Sequence, residues 1–261
     1  MTSYLCCCRF VGTAYRGYQV QVQDNTVCHV LQDALTQLFH VRPDIKGCSR
    51  TDSGVHAHAF YFSFQTRQYI DPAKLPIALN RFLPGDVAVT GAQLVPEDFH
   101  ARYHCLGKEY VYRVINRPIR DPFLQDRALF YGGKIDAEQL NRAGRAFLGR
   151  QDFTSFCGRR GSQENKVRTV TAFDVVRLGD EIRFRVRGDG FLYHMVRIMV
   201  GTLLQVAQGV FPEDGIAGIL AAKDRRAAGM TAPACGLYLH RVFYDPSIVT
   251  LGQEEDDAWL K

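Results

Sequence analysis

The hydrophobic period of this chain changes in a set order, and it does so twice. Tyr4 to Val11 reads as a strand rich in Cys, Phe and Val. A glycine-punctuated loop, Gly12 to Gln19, follows it. Thr26 then caps a helical pattern that runs to about Phe39, with Val27, Val30, Leu31, Leu35 and Leu38 on one stripe. Asp44 to Ser49 predicts a short strand and His56 to Gln65 a longer one. Asp71-Pro72 opens a second helix, with Asp at the cap and Pro at the first helical position, and Leu83-Pro84-Gly85 ends it. Asp86 to Val95 completes the order β-α-β-β-α-β, the ferredoxin-like split unit.

The second half repeats the order without repeating the residues. Lys108 to Asn116 is a strand, and residues 117–130, with Pro118 and Pro122, are a loop. Asp136 caps a helix to about Leu148. Val167 to Leu178 and Glu181 to Gly188 form a hairpin around Gly179-Asp180. Phe191 to Gln208 is a strongly apolar helix, Pro212 to Ala222 a shorter one, and Leu237 to Tyr244 a closing strand. The expected fold class is α+β, with two ferredoxin-like halves whose sheets join around a central cleft. The expected divisions are residues 1–105, residues 106–247, and an acidic, loose tail over 248–261 in which Trp259 is able to dock.

Charge is unevenly placed. The net +5 resolves into +1 over residues 1–105, +7 over 106–247 and −3 over 248–261. Arg supplies most of the cation in the middle block, and its planar donor fork suits phosphate, so a polyanionic partner is favoured. No run approaches the roughly 20 apolar residues of a membrane span. Met1-Thr2-Ser3-Tyr4 lacks the features of a signal peptide, so a soluble, cytoplasmic protein is expected. None of the eight cysteines forms a C-x-x-C pair, and Cys6, Cys7 and Cys8 alternate faces of one strand, so small buried thiols are expected rather than a metal site.

The chemistry-bearing stretch is Gly47 to His58, which sets Arg50, Asp52, Ser53 and His56 around Gly54, just before the apolar run Ala59 to Phe62. Its local chemistry fits an ordinary turn or a reactive loop. Arg50 and Asp52 lie two apart, so both face one side and the cation keeps the carboxylate ionised. Arg197 sits in the middle of the apolar helix. It needs an anionic partner, for which Asp52 and a substrate phosphate are both candidates. Tyr110 and Tyr112 share a face of a basic-flanked strand, as core tyrosines or as a platform for a base. Phe99-His100-Ala101-Arg102 adds a cation near aromatics. His56 and His58 lack a third metal ligand with sensible spacing, which favours a structural role.

Several motifs together resemble one family. Arg50-Thr51-Asp52-Ser53-Gly54-Val55-His56-Ala57 is similar to the R-T-D-A-G-V-H-A signature of the tRNA pseudouridine synthase A (TruA) family. Gly12-Thr13-x-Tyr15-x-Gly17-Tyr18-Gln19, Thr26-Val27, Phe99-His100-Ala101-Arg102, Lys108-Glu109-Tyr110-Val111-Tyr112, Asp152 to Phe156, Gly190 to Arg197 and Ala232-Pro233-Ala234-x-Gly236-Leu237 also fit, in order, over about residues 4 to 245. Ser53 stands where the family usually has Ala, Tyr18 where it usually has Trp, and Val11 where an Asp is common.

The resemblance implies a pseudouridine synthase fold and an isomerase that acts on uridines in the anticodon stem-loop of tRNA. It implies a homodimer working without cofactor or metal, and the composition adds that no membrane partner is expected. It implies that Asp52 is the catalytic aspartate, that Arg197 pairs with it, and that Tyr110 stacks on the target base and accepts a proton late in the reaction. Arg50 and Arg102 are then expected to hold substrate, and Leu237 to wall the pocket. Two other classes compete on the residues alone. One is a non-catalytic RNA-binding module, for which Asp52 would be dispensable. The other is a metal-dependent hydrolase using His56 and His58.

Overall fold

The computed structural model describes residues 1–21, 25–252 and 259–260. The chain divides into two compact units, Met1–Leu106 together with Tyr238–Lys261, and Gly107–Leu237. The first boundary falls beside the expected one. The second does not, because the closing strand groups with the first unit.

In the first unit, β1 (Thr2–Phe10) leads through a 3-10 turn, Gly12–Ala14, to α1 (Val27–Phe39). Thr26 caps α1 by accepting the His29 N–H, a bond of the kind worth about 1 kcal/mol. Then come β2 (Lys46–Gly47), β3 (His56–Thr66), α2 (Leu75–Leu79) and β4 (Val87–Leu94). β1 lies antiparallel between β3 and β4, and β2 pairs antiparallel with β3. This is the ferredoxin-like order. Both faces of β1 are buried, so its apolar residues are continuous rather than alternating. Tyr4, Phe62 and Phe64 stack along the face that receives Phe39 of α1.

Two elements are shorter than the sequence suggests. β2 has only two residues. Cys48 keeps one more backbone bond, from its N–H to the Tyr61 carbonyl, and the chain then leaves the sheet. α2 does not begin at Asp71, because the Asp71 carboxylate and carbonyl close a turn over Ala73, Lys74 and Leu75. It stops at Leu79 because the Asn80 amide bonds Val89 N–H and C=O of β4, both at 2.8 Å.

The second unit holds β5 (Gly107–Ile115), β6 (Leu129–Phe130), α3 (Ala137–Gly144), β7 (Gly149–Asp152), β8 (Val167–Leu178), β9 (Glu181–Gly188), α4 (Met195–Ala207) and α5 (Ile216–Ala222). β5, β9, β8 and β7 pair successively antiparallel, and β6 adds to β5 in parallel. β6 and β7 fall where the sequence suggests no strand. Asp136 caps α3 through the Glu138 and Gln139 N–H groups. The helix tightens into a 3-10 turn at Arg145–Phe147 instead of running to Leu148 as an α-helix. Gly144 has no room for a side chain, since a Cβ there would lie 2.3 Å from the Phe173 ring of β8. α4 starts four residues later than the apolar pattern, because His194 adopts the left-handed conformation and breaks the run.

The last strand, β10 (Leu237–Phe243), pairs in parallel with β3, Tyr238 opposite His56 and Leu239 opposite Ala57. The chain beyond it crosses the other face of the first unit's sheet. Tyr244 packs on Tyr61, the Tyr61 hydroxyl donates to the Leu251 carbonyl, and Gln93 bonds Ile248, Thr250 and Leu251. Trp259 is buried at 5% exposure. Of the acidic tail expected to be loose over 248–261, residues 248–252 and Trp259 are instead packed or hydrogen-bonded, and residues 253–258 and 261 lie outside the described residues. All eight cysteines are free, and six are buried as expected, whereas Cys105 and Cys235 are partly exposed. Among the described residues, no helix is long and apolar enough to cross a membrane.

Candidate active site

In the first unit the candidate aspartate lies in the loop between β2 and β3. Asp52 is half-buried and its neighbour Thr51 is buried. The loop is held from outside by the segment that follows β1. Tyr18 N–H donates to the Thr51 carbonyl at 3.1 Å, and Gly54 N–H to the Tyr15 carbonyl at 3.2 Å. The Ser53 hydroxyl donates to that same Tyr15 carbonyl at 3.3 Å, a bond an Ala at this position could not make. Gly54 turns the loop with φ +78°, and Val55 N–H returns to the Asp52 carbonyl at 3.2 Å.

Glycine permits this contact at two positions. A Cβ on Gly12 would lie 1.9 Å from the Val55 oxygen, and one on Gly17, at φ +88°, would lie 2.6 Å from the Thr51 oxygen. The segment is anchored in turn to Asp86, whose Oδ1 accepts the Tyr15 hydroxyl at 2.6 Å and whose carbonyl accepts Val11 N–H at 2.9 Å. Burial, then the Asp86 carboxylate, push the Tyr15 phenol well above its ordinary value, so it stays a donor.

His56 fastens the downstream side. It is buried, and its Nδ1 accepts Gly12 N–H at 3.0 Å. The His56 and His58 rings both pack on Tyr238, with centroids 4.6 and 4.8 Å away, and His58 Nδ1 lies 3.2 Å from His240 Nδ1. Among the described residues no group of three or more His, Cys, Asp or Glu is placed to hold a metal ion. Tyr18, where the resemblance puts a Trp, is a core residue with its ring tilted against Phe60 at 4.4 Å and lying against Gly47. Arg50 is exposed beside the loop. Arg102 is half-buried in the turn after Phe99, where its N–H donates to His100 Nδ1 at 3.1 Å.

In the second unit, Tyr110 and Tyr112 alternate with Val111 along β5 and so share a face. Tyr110 is 7% exposed, with the Phe191 ring edge-on at 5.2 Å. The Tyr112 hydroxyl donates to the Pro233 carbonyl at 2.8 Å, and burial raises its pKa despite the opposing charge of Arg197.

Arg197 is fixed from both ends of one residue. Its Nε donates to the Ala232 carbonyl at 2.8 Å, and its own carbonyl accepts Ala232 N–H at 3.0 Å. The loop carrying Ala232 is laced to α4. Gly229 N–H donates to Thr202 Oγ1 and Met230 N–H to Gln205 Oε1, both at 3.0 Å. Gly201 permits the approach, since a Cβ there would lie 2.0 Å from the Met230 oxygen. Leu237 is buried just after a 3-10 turn, Ala234–Gly236, where Gly236 crosses the Tyr112 ring.

Sequence reasoning singles out Asp52, Tyr110 and Arg197 but misses what holds them: Gly12, Gly17 and His56 in one unit, Gly201, Thr202 and Ala232 in the other. One signal is present. A glycine in mid-helix costs about 1 kcal/mol, so Gly201 within an apolar helix marks a close backbone approach. The basic block is also less free than its charge suggests. Glu181 binds Arg113 and Arg183 at 2.6 and 2.8 Å, and Asp174 binds Arg185 at 2.6 Å.

The first unit thus carries a carboxylate on a tightly held loop, and the second carries a fixed guanidinium and a buried tyrosine; side chains of these types serve acid–base and nucleophilic chemistry. A family model described as tRNA pseudouridine synthase matches residues 7–104 and 143–245. The tRNA pseudouridine synthase A of Bacillus pumilus is 41% identical over 92% of this chain and 98% of its own. That of Exiguobacterium sibiricum is 40% identical over 95% and 98%, and that of Staphylococcus carnosus 37% identical over 91% and 89%. The chain belongs to the tRNA pseudouridine synthase family, a family of isomerases.

Proposed function

We propose that the uridines this chain isomerises to pseudouridine lie in the anticodon stem-loop of tRNA, and that Asp52 carries the reaction. The reaction breaks the bond between N1 of the base and C1′ of the ribose, turns the base, and joins C5 to C1′. C5 loses a proton and N1 gains one, so atoms and electrons balance without a redox partner. A carboxylate serves this by bonding to the nucleotide or by removing a ribose proton. Arg197 supplies positive charge to the reaction. Tyr110 stacks on the base and accepts the proton released at C5. Arg50 and Arg102 hold the extruded nucleotide, and Leu237 keeps water from the detached base. The enzyme acts as a cytoplasmic homodimer.

The observation that carries this reading is the lacing of the Thr51–Val55 loop by Gly12, Tyr15, Gly17 and His56, which supports the reading by holding the loop that bears Asp52. Incubation with an unmodified tRNA transcript, followed by pseudouridine mapping, tests it. Pseudouridine confined to the anticodon arm is the expected result. Pseudouridine confined to another arm, or none, contradicts it. Light scattering reads the homodimer.

A further inference from the structure

Within the second unit, an open cavity of about 550 Å³ is lined by Arg159, Arg225, Arg226 and His194, together with Gly158, Gly229 and Thr231. Among the described residues no acidic side chain lines it. A carboxylate that does feature in its electrostatics is Asp224, which pairs with Arg226 at 2.8 Å and also feels Arg159. That leaves two guanidiniums without a carboxylate of their own. Among the described residues Arg159 makes no hydrogen bond or ion pair. Arg225 spends its donors on neutral oxygens, the Ala228 carbonyl at 3.1 Å and Thr231 Oγ1 at 3.2 Å. Burial first, and then the nearby Arg159, pull Arg225 below the usual guanidinium value. His194 is the N-cap residue of the 13-residue α4, so the positive end of that helix lies at the same cavity.

Like charges gathered at a cavity with no acid on its wall fit an anion, and paired arginine forks fit the oxygens of a phosphate. We infer that this cavity, built on Arg159 and Arg225, seats a backbone phosphodiester of the RNA substrate. The inference rests on the proposed action on tRNA, and it adds a subsite that anchors the RNA through its phosphate rather than through a base. The cavity also has a route to the chemistry. Met230 and Thr231 lie on its wall, and the adjoining Ala232 holds Arg197, so a phosphate seated there rests against the loop that fixes the guanidinium.

The test measures affinity of the full chain for unmodified tRNA across a salt series, for the wild type, Arg159→Ala, Arg159→Glu and Arg225→Lys. Arg142→Ala serves as the control, because Arg142 is exposed and paired with Glu213. Arg159→Ala is expected to weaken binding several-fold and to reduce the salt slope by about 1, and Arg159→Glu to weaken it further. Arg225→Lys is expected to weaken binding less than Arg159→Glu, since it keeps the charge. Arg159 variants that bind tRNA with wild-type affinity and slope, while the wild type still forms pseudouridine, overturn the subsite and leave the function standing. A wild type that neither binds nor modifies tRNA overturns both. Inorganic phosphate titrated into the wild type reads the other source of the same chemistry. Saturable, Arg159-dependent phosphate binding with unchanged tRNA affinity in the variants would assign the cavity to a free anion and overturn the inference.

Discussion

The Gly12 amide donates to Nδ1 of His56 across 3.0 Å, in a buried setting. This one bond ties the segment after β1 to the first residue of β3, and Asp52 lies in the loop between the points it secures. Its acceptor carries no proton at Nδ1. Replacing His56 by Ala would leave a buried N–H without its partner, at a cost of about 1–3 kcal/mol. We expect His56→Ala to lower the denaturation midpoint and to reduce turnover more than tRNA affinity. Urea titration and single-turnover kinetics on the same preparation check both.

Gly12 should be among the least replaceable glycines in the chain. A methyl group there would meet the Val55 carbonyl at 1.9 Å, a backbone atom that cannot swing aside. Overpacking of this kind costs about 1–3 kcal/mol and moves the loop. Gly85, where an added methyl would meet nothing within 4 Å, is the matched control. Gly12→Ala is expected to lose most activity and Gly85→Ala to stay within about 0.5 kcal/mol of wild-type stability.

Arg197 is positioned through geometry as well as charge. Arg197→Lys keeps the cation but loses the planar Nε–H that meets the Ala232 carbonyl. A fall in kcat of at least about tenfold is expected, with little change in melting temperature. Steady-state kinetics beside a thermal melt would show it.

The Glu181 carboxylate sets an acid limit on the second unit. Burial alone would raise its pKa, but hydrogen bonds and charges from Arg113 and Arg183 outweigh burial and hold it below the ordinary 4.5. A carboxyl depressed on folding contributes stability that is present above its unfolded value and is lost as pH falls through its folded value. Glu181→Gln should therefore destabilise the protein at neutral pH by on the order of 1 kcal/mol. That gap should close as the pH drops below the ordinary carboxyl range. Chemical denaturation of both proteins across acid pH checks the sign.

Elements set by local chemistry were legible in the sequence. Thr26 and Asp136 start their helices where capping chemistry puts them, and Gly179-Asp180 turns the β8–β9 hairpin at the expected residues. Elements decided by distant partners were not. α2 is cut short by a side-chain amide that reaches β4, α4 is delayed at His194, and the last strand joins β3 by a parallel pairing that no local pattern announces. The candidate site shows the same division. Asp52, Tyr110 and Arg197 stand out by residue type and by their resemblance to a family. The backbone groups that hold their segments, such as the Ala232 carbonyl and the Gly12 amide, carry no side-chain signal at all.

The most direct test of the account is Asp52→Ala assayed on an unmodified tRNA transcript, with pseudouridine mapped and tRNA affinity measured in parallel. The account predicts at least about a thousandfold loss of pseudouridine formation, with the fold intact and tRNA still bound. Pseudouridine formation at the wild-type rate would contradict it.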